Sequence, residues 1–368
     1  MTALPTEDAS RYFARALIDW QRRAGRHDLP WQRDRDAYRI WLSEIMLQQT
    51  QVATVLRYYE RFIARFPSVR SLAEAPLDDV MALWSGLGYY SRARNLHRAA
   101  CAVVERHGGR FPTDAAALQA LPGVGRSTAA AIAVFAAGAR EAILDGNVKR
   151  VLARHFAVAA DVGERAAEAR LWALASALVP SEEIESYTQG LMDLGATLCL
   201  PRNPRCPSCP LESSCIALRE GRVAELPAVR RRAARPQREA ILLVLERAGR
   251  ILFEKRPPHG IWGGLWSFPE LTSGDALTSW LRERLGCSAE LGAPLPPLRH
   301  EFTHFSLDIH PLYARVLPPD DSMAGSLRAA DDNLRWHPCD EMEGFGAPAP
   351  VKRIVDSLRQ RASAPTLW

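Results

Sequence analysis

The stretch Cys199-Leu-Pro-Arg-Asn-Pro-Arg-Cys206-Pro-Ser-Cys209-Pro-Leu-Glu-Ser-Ser-Cys215 confines four thiols to one short loop. Thiolates spaced by six, two and five residues can surround one soft metal centre. A tetrahedral zinc ion and an iron–sulfur cube both take four thiolates, and side-chain chemistry alone leaves the two open. Two disulfides are the third reading. The chain starts without the basic segment and apolar core of a secretory signal, so a metal centre in a reducing compartment is the expectation. Pro201, Pro204, Pro207 and Pro210 fall between or beside the cysteines and remove backbone donors, which suits a loop held by metal rather than by a backbone ladder. Arg202 and Arg205 would sit on the surface of that loop, where they could meet phosphates. Cys101, Cys287 and Cys339 lie far from it and are expected to be ordinary thiols.

On either side of the loop the chain has two textures. Its 368 residues allow two domains, each with its own core. From Ser10 to beyond Leu218, apolar residues recur at helical spacing, with Gly and Pro marking the turns. After Pro227 comes an arginine run (Arg230, Arg231, Arg232, Arg235 and Arg238, around Pro236) that reads as a linker able to rest on a polyanion. Beyond it stand short β-type runs, Ala240 to Leu245, Ile251 to Phe253 and Leu307 to Val316, around a Gly/Trp/Pro-rich segment. The expected organisation is an all-α domain over 1–228, a basic linker over 229–238 and an α+β domain over 239–368. The formal charge is +5, and all but three of the 47 basic residues are arginines; this permits nucleic-acid binding without requiring it. The longest apolar stretch, Ala129 to Ala139, is too short to span a bilayer, so a soluble, non-membrane protein is expected.

Three further segments of the helical part carry chemistry. Leu121-Pro-Gly-Val-Gly-Arg-Ser-Thr128 joins two helices; Gly123 and Gly125 let the backbone approach a ligand, and the next helix offers free N–H groups to a phosphate. A plain interhelical turn is the alternative. Glu44, beside Ile45, Met46 and Leu47, is expected to be poorly solvated, which would raise its pKa and let it donate a proton near neutrality; an exposed position is the alternative. Asp145, in Ile143-Leu-Asp-Gly-Asn-Val148, is either a second catalytic carboxylate or the cap of a helix opening near Asn147. An acid and an anion together are the minimum for cleaving an N-glycosidic bond: one improves the leaving group, the other stabilises charge on the sugar.

Leu29-Pro-Trp31, Ser43 to Val52, Gly86-Leu-Gly-Tyr-Tyr90, the Leu121–Thr128 hairpin, Asp145-Gly-Asn147 and the cysteine loop, in this order and spacing, resemble the MutY-type adenine DNA glycosylases over nearly the whole chain. That resemblance implies a helix-hairpin-helix glycosylase fold with a [4Fe–4S] cluster held by Cys199, Cys206, Cys209 and Cys215. It also implies that Gly123, Gly125 and Ser127 of the hairpin lie against DNA. By the same resemblance Glu44 protonates adenine at N7, Asp145 stabilises the sugar cation and Asn147 helps to position Asp145. Trp31 and Gln189 would line the adenine pocket, and Gln49 and Tyr89 would insert where the base is flipped out. Related bifunctional pyrimidine glycosylases carry a lysine where this chain has Ser127; a hydroxyl cannot form an imine, so a monofunctional enzyme is expected. Lys149 is the lysine nearest the catalytic loop and could trap the opened sugar as a side reaction.

The second part resembles the MutT/Nudix fold that this family uses to recognise 8-oxoguanine. Gly264 and Glu270 fit the Nudix pattern, but Ser279, Trp280 and Arg284 stand at the positions of its Arg, first Glu and one of its paired Glu residues, leaving Glu283. One helical carboxylate holds Mg²⁺ poorly, so pyrophosphohydrolase activity is not expected. Phe302-Thr-His304 matches the family's lesion-probing loop, with Thr303 where Ser is usual; the alternative is a β-turn with a buried Phe. The expectations are then a monomeric glycosylase in a bacterial cytoplasm, acting at the nucleoid on double-stranded DNA with A:8-oxoguanine or A:G mispairs. The rival classes are a pyrimidine-specific, endonuclease-III-like glycosylase, a nucleotide hydrolase and a non-enzymatic DNA-binding iron–sulfur protein.

Overall fold

The computed structural model describes residues 4–158, 165–227, 235–317, 332–342 and 344–363; Arg230, Arg231 and Arg232 of the expected linker lie outside the described residues. The chain divides into two compact units, Met1–Glu74 with Asn95–Arg231, and Ala75–Arg94 with Arg232–Trp368. In chain order the helices are α1 (Glu7–Ala24), α2 (Ala37–Leu47), α3 (Val52–Arg65), α4 (Val69–Ala73), α5 (Leu77–Trp84), α6 (Ser91–His107), α7 (Ala115–Gln119), α8 (Arg126–Ala137), α9 (Gly146–His155), α10 (Arg165–Leu178), α11 (Ile184–Thr197), α12 (Ile216–Arg219), α13 (Leu277–Arg284) and α14 (Ala349–Ser363). The strands are β1 (Gln237–Arg247), β2 (Arg250–Lys255), β3 (Trp266–Ser267), β4 (Glu270–Leu271), β5 (Ala289–Leu291), β6 (Leu298–Glu301), β7 (Ser306–Val316) and β8 (Leu334–Pro338).

The first unit is helical. Thr6 caps α1 by accepting from the Ala9 N–H, Glu7 and Asp8 occupy its first turn, and Arg22 and Arg23 its last, each charge matched to the helix dipole. The apolar stripe of α1, with Phe13, Leu17 and Ile18, joins Leu144, Val148 and Leu152 and residues of α10 and α11 in one core. Helix α11 approaches its neighbours through glycines. A Cβ at Gly195 would stand 2.5 Å from that of Asn147, and one at Gly190 would stand 3.0 Å from Leu17 Cγ. A side chain at Gly195 would push α11 off the segment that holds Asp145, and one at Gly190 would push it off α1.

The second unit is built on a mixed sheet of eight strands. At its centre β1 and β7 run parallel, from Gln237 against Ser306 to Glu246 against Arg315. Strands β2, β4, β5, β6 and β8 pair antiparallel with one of these or with each other. The β1–β2 turn places Ala248 and Gly249 at φ 49° and 74°, the left-handed pair that suits a tight hairpin. Strand β1 already includes Gln237 and Arg238, which the sequence assigns to the linker.

The segment from Ala75 to Arg94 packs with this sheet rather than with the helical unit. Lys255 Nζ binds Asp78 at 2.6 and 2.9 Å, Ser85 Oγ donates to the Ala347 carbonyl at 2.6 Å, and Arg94 donates to the Gly263 carbonyl at 2.5 Å. A single cut near residue 228 therefore describes the change of texture along the chain but not the packing, because these bonds join residues more than 160 positions apart.

Candidate active site and cysteine loop

Helix α2 starts at Asp36, whose carboxylate accepts from the Tyr38 N–H at 2.8 Å, and buries Tyr38, Ile40, Trp41, Leu42, Ile45 and Met46. Glu44 occupies the remaining face and opens onto a cavity lined also by Trp31, Arg26, Ser186, Gln189 and Met192. It keeps part of its surface open to that cavity and is enclosed elsewhere. Burial pushes its pKa up to about 8, and the charge of Asp145 adds to the rise. Trp31 is both core and lining: it is 7% exposed and meets Tyr59 edge-on at 5.3 Å.

Asp145 is the N-cap of α9, accepting from the Val148 N–H at 2.8 Å through Oδ1, so its capping role is realised. Its other oxygen faces Asn147 Nδ2 at 3.4 Å. Burial raises its pKa, while the Val148 N–H, the Arg150 charge and Asn147 pull it down. No side-chain hydrogen bond holds Glu44 among the described residues, whereas the Val148 N–H and Asn147 Nδ2 both donate to Asp145 and work against the effect of its burial. Arg150 braces the loop, donating to Asn147 Oδ1 at 2.8 Å, the Gly195 carbonyl at 2.7 Å and the Cys199 carbonyl at 2.7 Å. Ser127 Oγ accepts from the Leu144 N–H at 2.9 Å, which puts position 127 beside the loop that carries Asp145. Lys149 is engaged by Glu168 at 2.5 Å.

The hairpin joins α7 to α8, with Gly125 as N-cap. Gly123 lies at φ 79°, where a Cβ would stand 2.8 Å from that of Asn95. Nothing within 4 Å would meet a Cβ at Gly125, so space is open before the helix N-terminus. Gln48 reaches the Gly123 carbonyl and Thr128 Oγ1, both at 3.4 Å, and ties the end of α2 to the hairpin. Next to it Gln49 is exposed with φ 56°, a strained backbone setting for a residue other than glycine.

In the second unit Tyr89 repeats this pattern, 43% exposed with φ 50°. Its hydroxyl lies 3.0 Å from Thr303 Oγ1. Thr303 and His304 form the tip between β6 and β7, closed by a bond from the Phe302 N–H to the Phe305 carbonyl at 2.9 Å. Phe302 stacks on Phe305 with ring centres 4.5 Å apart, so the turn with a packed Phe is real, and it leaves His304 exposed. Glu270, which fits the Nudix pattern, pairs with Arg256 at 2.9 Å, and Arg284, which stands at one of the pattern's Glu positions, pairs with Glu254 of β2 at 3.0 Å.

All seven cysteines are free thiols, and Cys199, Cys206, Cys209 and Cys215 line one cavity. Burial pushes Cys209 up to about 12, and the other three thiols add to the rise. Among the described residues no three His, Cys, Asp or Glu side chains converge closely enough for a single ion. Arg202 and Arg205 are exposed on the loop. The sequence reading missed Arg154, which is 3% exposed and donates to Cys199 Sγ at 3.4 Å and to the carbonyls of Leu200, Pro201 and Leu226. Its signal was a cation four residues beyond Arg150, at core spacing on α9. Arg92 was also missed: its guanidinium lies 5.3 Å from the Trp84 ring centre and 5.5 Å from that of Tyr89.

Two families match the chain: the HhH-GPD superfamily base excision DNA repair protein over residues 42–177 and the NUDIX domain over residues 240–357. An adenine DNA glycosylase of Buchnera aphidicola subsp. Schizaphis graminum (strain Sg) is 34% identical over 347 residues, 94% of this chain and 99% of its own. The adenine DNA glycosylase of Rattus norvegicus is 36% identical over 405 residues, 93% of this chain and 77% of its own. Among solved structures, a thermostable thymine-DNA glycosylase aligns with a TM-score of 0.52 at 30% identity, covering 57% of this chain and 97% of its own.

Proposed function

We propose that this chain, which belongs to the adenine DNA glycosylase family, removes adenine from A:8-oxoguanine and A:G mispairs in duplex DNA and leaves an abasic site without an obligatory strand break. Membership makes it a DNA N-glycosylase of base excision repair. The observation that carries the finer reading is Glu44: a carboxyl with its pKa pushed up to about 8, on the wall of a cavity, with the Asp145 charge behind it.

Glu44 gives its proton to adenine N7, so that the base leaves as a neutral molecule. Asp145 keeps its charge through the Val148 and Asn147 donors and stabilises the cation that develops on the sugar. Asn147, braced by Arg150, holds the free oxygen of Asp145 in place. The flipped adenine enters the cavity beside Trp31 and Gln189, while Gln49 and Tyr89 each insert into the base stack; their left-handed backbones, held at a cost, suit residues pre-set to project. Gly123 and Gly125 leave room for a DNA phosphate at the start of α8. Ser127 has no amine, and Lys149 is occupied by Glu168, so hydrolysis rather than imine formation is the outcome. In the second unit Thr303 and His304 contact the opposite base. Cys199, Cys206, Cys209 and Cys215 hold a [4Fe–4S] cluster. When bound, it ties down the loop that presents Arg202 and Arg205 to the DNA backbone.

Duplexes carrying A:8-oxoguanine, A:G, A:T, C:8-oxoguanine and T:G, incubated with the protein and then treated with alkali, test the reading. Strand breaks are expected from the first two only, and only after alkali. Equal release from A:T, or removal of thymine instead, overturns it. Elemental analysis is expected to find about four irons per chain, and stoichiometric zinc with no iron overturns the cluster assignment.

A further inference from the structure

Gln189 lines the cavity, and Asp193 follows one turn later on α11, buried behind it. Asp193 is 0% exposed. Its Oδ1 accepts from Arg26 Nε at 2.6 Å and from Gln189 Nε2 at 2.9 Å, and its Oδ2 accepts from the Arg26 backbone N–H at 2.8 Å. A guanidinium and a backbone amide can only donate in these positions, so both carboxylate oxygens act as acceptors. The end of the Gln189 amide that faces Asp193 has to be its –NH₂. The carbonyl is then the end left to the cavity, and Gln189 cannot exchange the two without setting its oxygen against a buried carboxylate.

We infer that Asp193, clamped by Arg26, is a positioning residue that orients the Gln189 amide so that the cavity offers an acceptor to the 6-position of the bound purine. An exocyclic amine satisfies that acceptor. A 6-oxo group, as in hypoxanthine or guanine, would bring two carbonyls together. Adenine is selected from 6-oxopurines through the choice of which amide end is presented, and Asp193, which need not touch the base, makes that choice. The inference rests on the adenine reading above and deepens it.

The test compares single-turnover release of adenine and of hypoxanthine, each opposite 8-oxoguanine, by wild type, D193N and Q189M. Differences between the bases as leaving groups cancel when the hypoxanthine-to-adenine ratio of each variant is set against that of wild type. D193N lets the Gln189 amide reverse, and Q189M removes the acceptor. Both should raise the ratio by about tenfold or more, the scale on which such sites discriminate. A purely structural role for Asp193 would slow both substrates together and leave the ratio unmoved, and a ratio within twofold of wild type in both variants overturns the inference. If D193N does not accumulate as folded protein, R26K replaces it. That variant keeps the cation but loses the Nε–H clamp, and its ratio should move the same way by at least twofold; an unmoved ratio in R26K then overturns the role of Asp193. Absence of adenine release by wild type would instead sink the adenine reading itself.

Discussion

In the first unit Glu44 faces a cavity with no side-chain hydrogen bond among the described residues, and its pKa is pushed up to about 8. In the second, Glu254 and Glu270 each meet an arginine, Arg284 at 3.0 Å and Arg256 at 2.9 Å. Both units carry carboxylates, yet the one in the first unit has its pKa raised toward neutrality by burial, while these two in the second unit are held in ion pairs. An unpaired, enclosed carboxyl is held against its own solvation preference, which makes it a proton donor. A carboxylate matched to an arginine is less available to a divalent cation. The second unit thus matches the NUDIX domain family with these two acid groups turned to structural ion pairs, and it exposes His304 at the tip between β6 and β7.

The largest effect should come from removing the first unit's acid and anion. E44Q and D145N should each lower adenine release by about 10² to 10⁴, the range of general acid and charge-stabilising groups. Duplex binding should be largely kept, because phosphate contacts elsewhere carry it. A variant retaining more than about a tenth of the rate, a loss below ~1.4 kcal/mol in the barrier, would contradict its assigned role.

Next comes stability. With a folded pKa of about 8 against an ordinary value of 4.5, Glu44 contributes no penalty below pH 4.5. Between those values the unfolded chain ionises while the folded one keeps its proton, so stability is lost as pH rises, and the loss is complete above about 8. Glutamine has no such titration. E44Q should therefore be more stable than wild type by about 1–3 kcal/mol at pH 7.5, with little difference at pH 4.5. Denaturant melts at the two pH values check this, and a pH-independent difference would contradict the raised pKa. By the same proton, wild-type adenine release should fall as pH rises through about 8.

In the second unit, T303A combined with H304A should leave adenine release from A:G nearly unchanged and reduce the preference for A:8-oxoguanine by about tenfold, the worth of one or two polar contacts. Discrimination equal to wild type would mean that this tip does not face the lesion. Smallest of all, E270A should change folding stability by less than about 1 kcal/mol, since the ion pair it removes is half open to solvent on the Glu270 side, although Arg256 is mostly buried. It should also leave glycosylase rates alone; a large loss of either kind would show that Glu270 has kept a ligand role.

The sequence alone determined what is local. Helical spacing before Pro227 and β-type runs after it follow from side-chain periodicity, so the helical character of the first part and strands β1, β2 and β7 were legible. So were the four thiols, which one short loop must bring together, and Asp145 before Gly146-Asn147, where a cap and a catalytic carboxylate have the same spacing. What only the tertiary structure decided rests on contacts between distant positions. The raised pKa of Glu44 needs Asp145, a hundred residues away, and a cavity wall drawn from several elements. The segment 75–94 joins the sheet through Asp78, Ser85 and Arg94, whose partners Lys255, Ala347 and Gly263 lie far along the chain. The orientation of Gln189 depends on Arg26, a surface-type residue by pattern, reaching Asp193. Burial and charge act over a few ångströms of space, and periodicity reports only the few residues next to each position, so such couplings leave no local mark in the sequence.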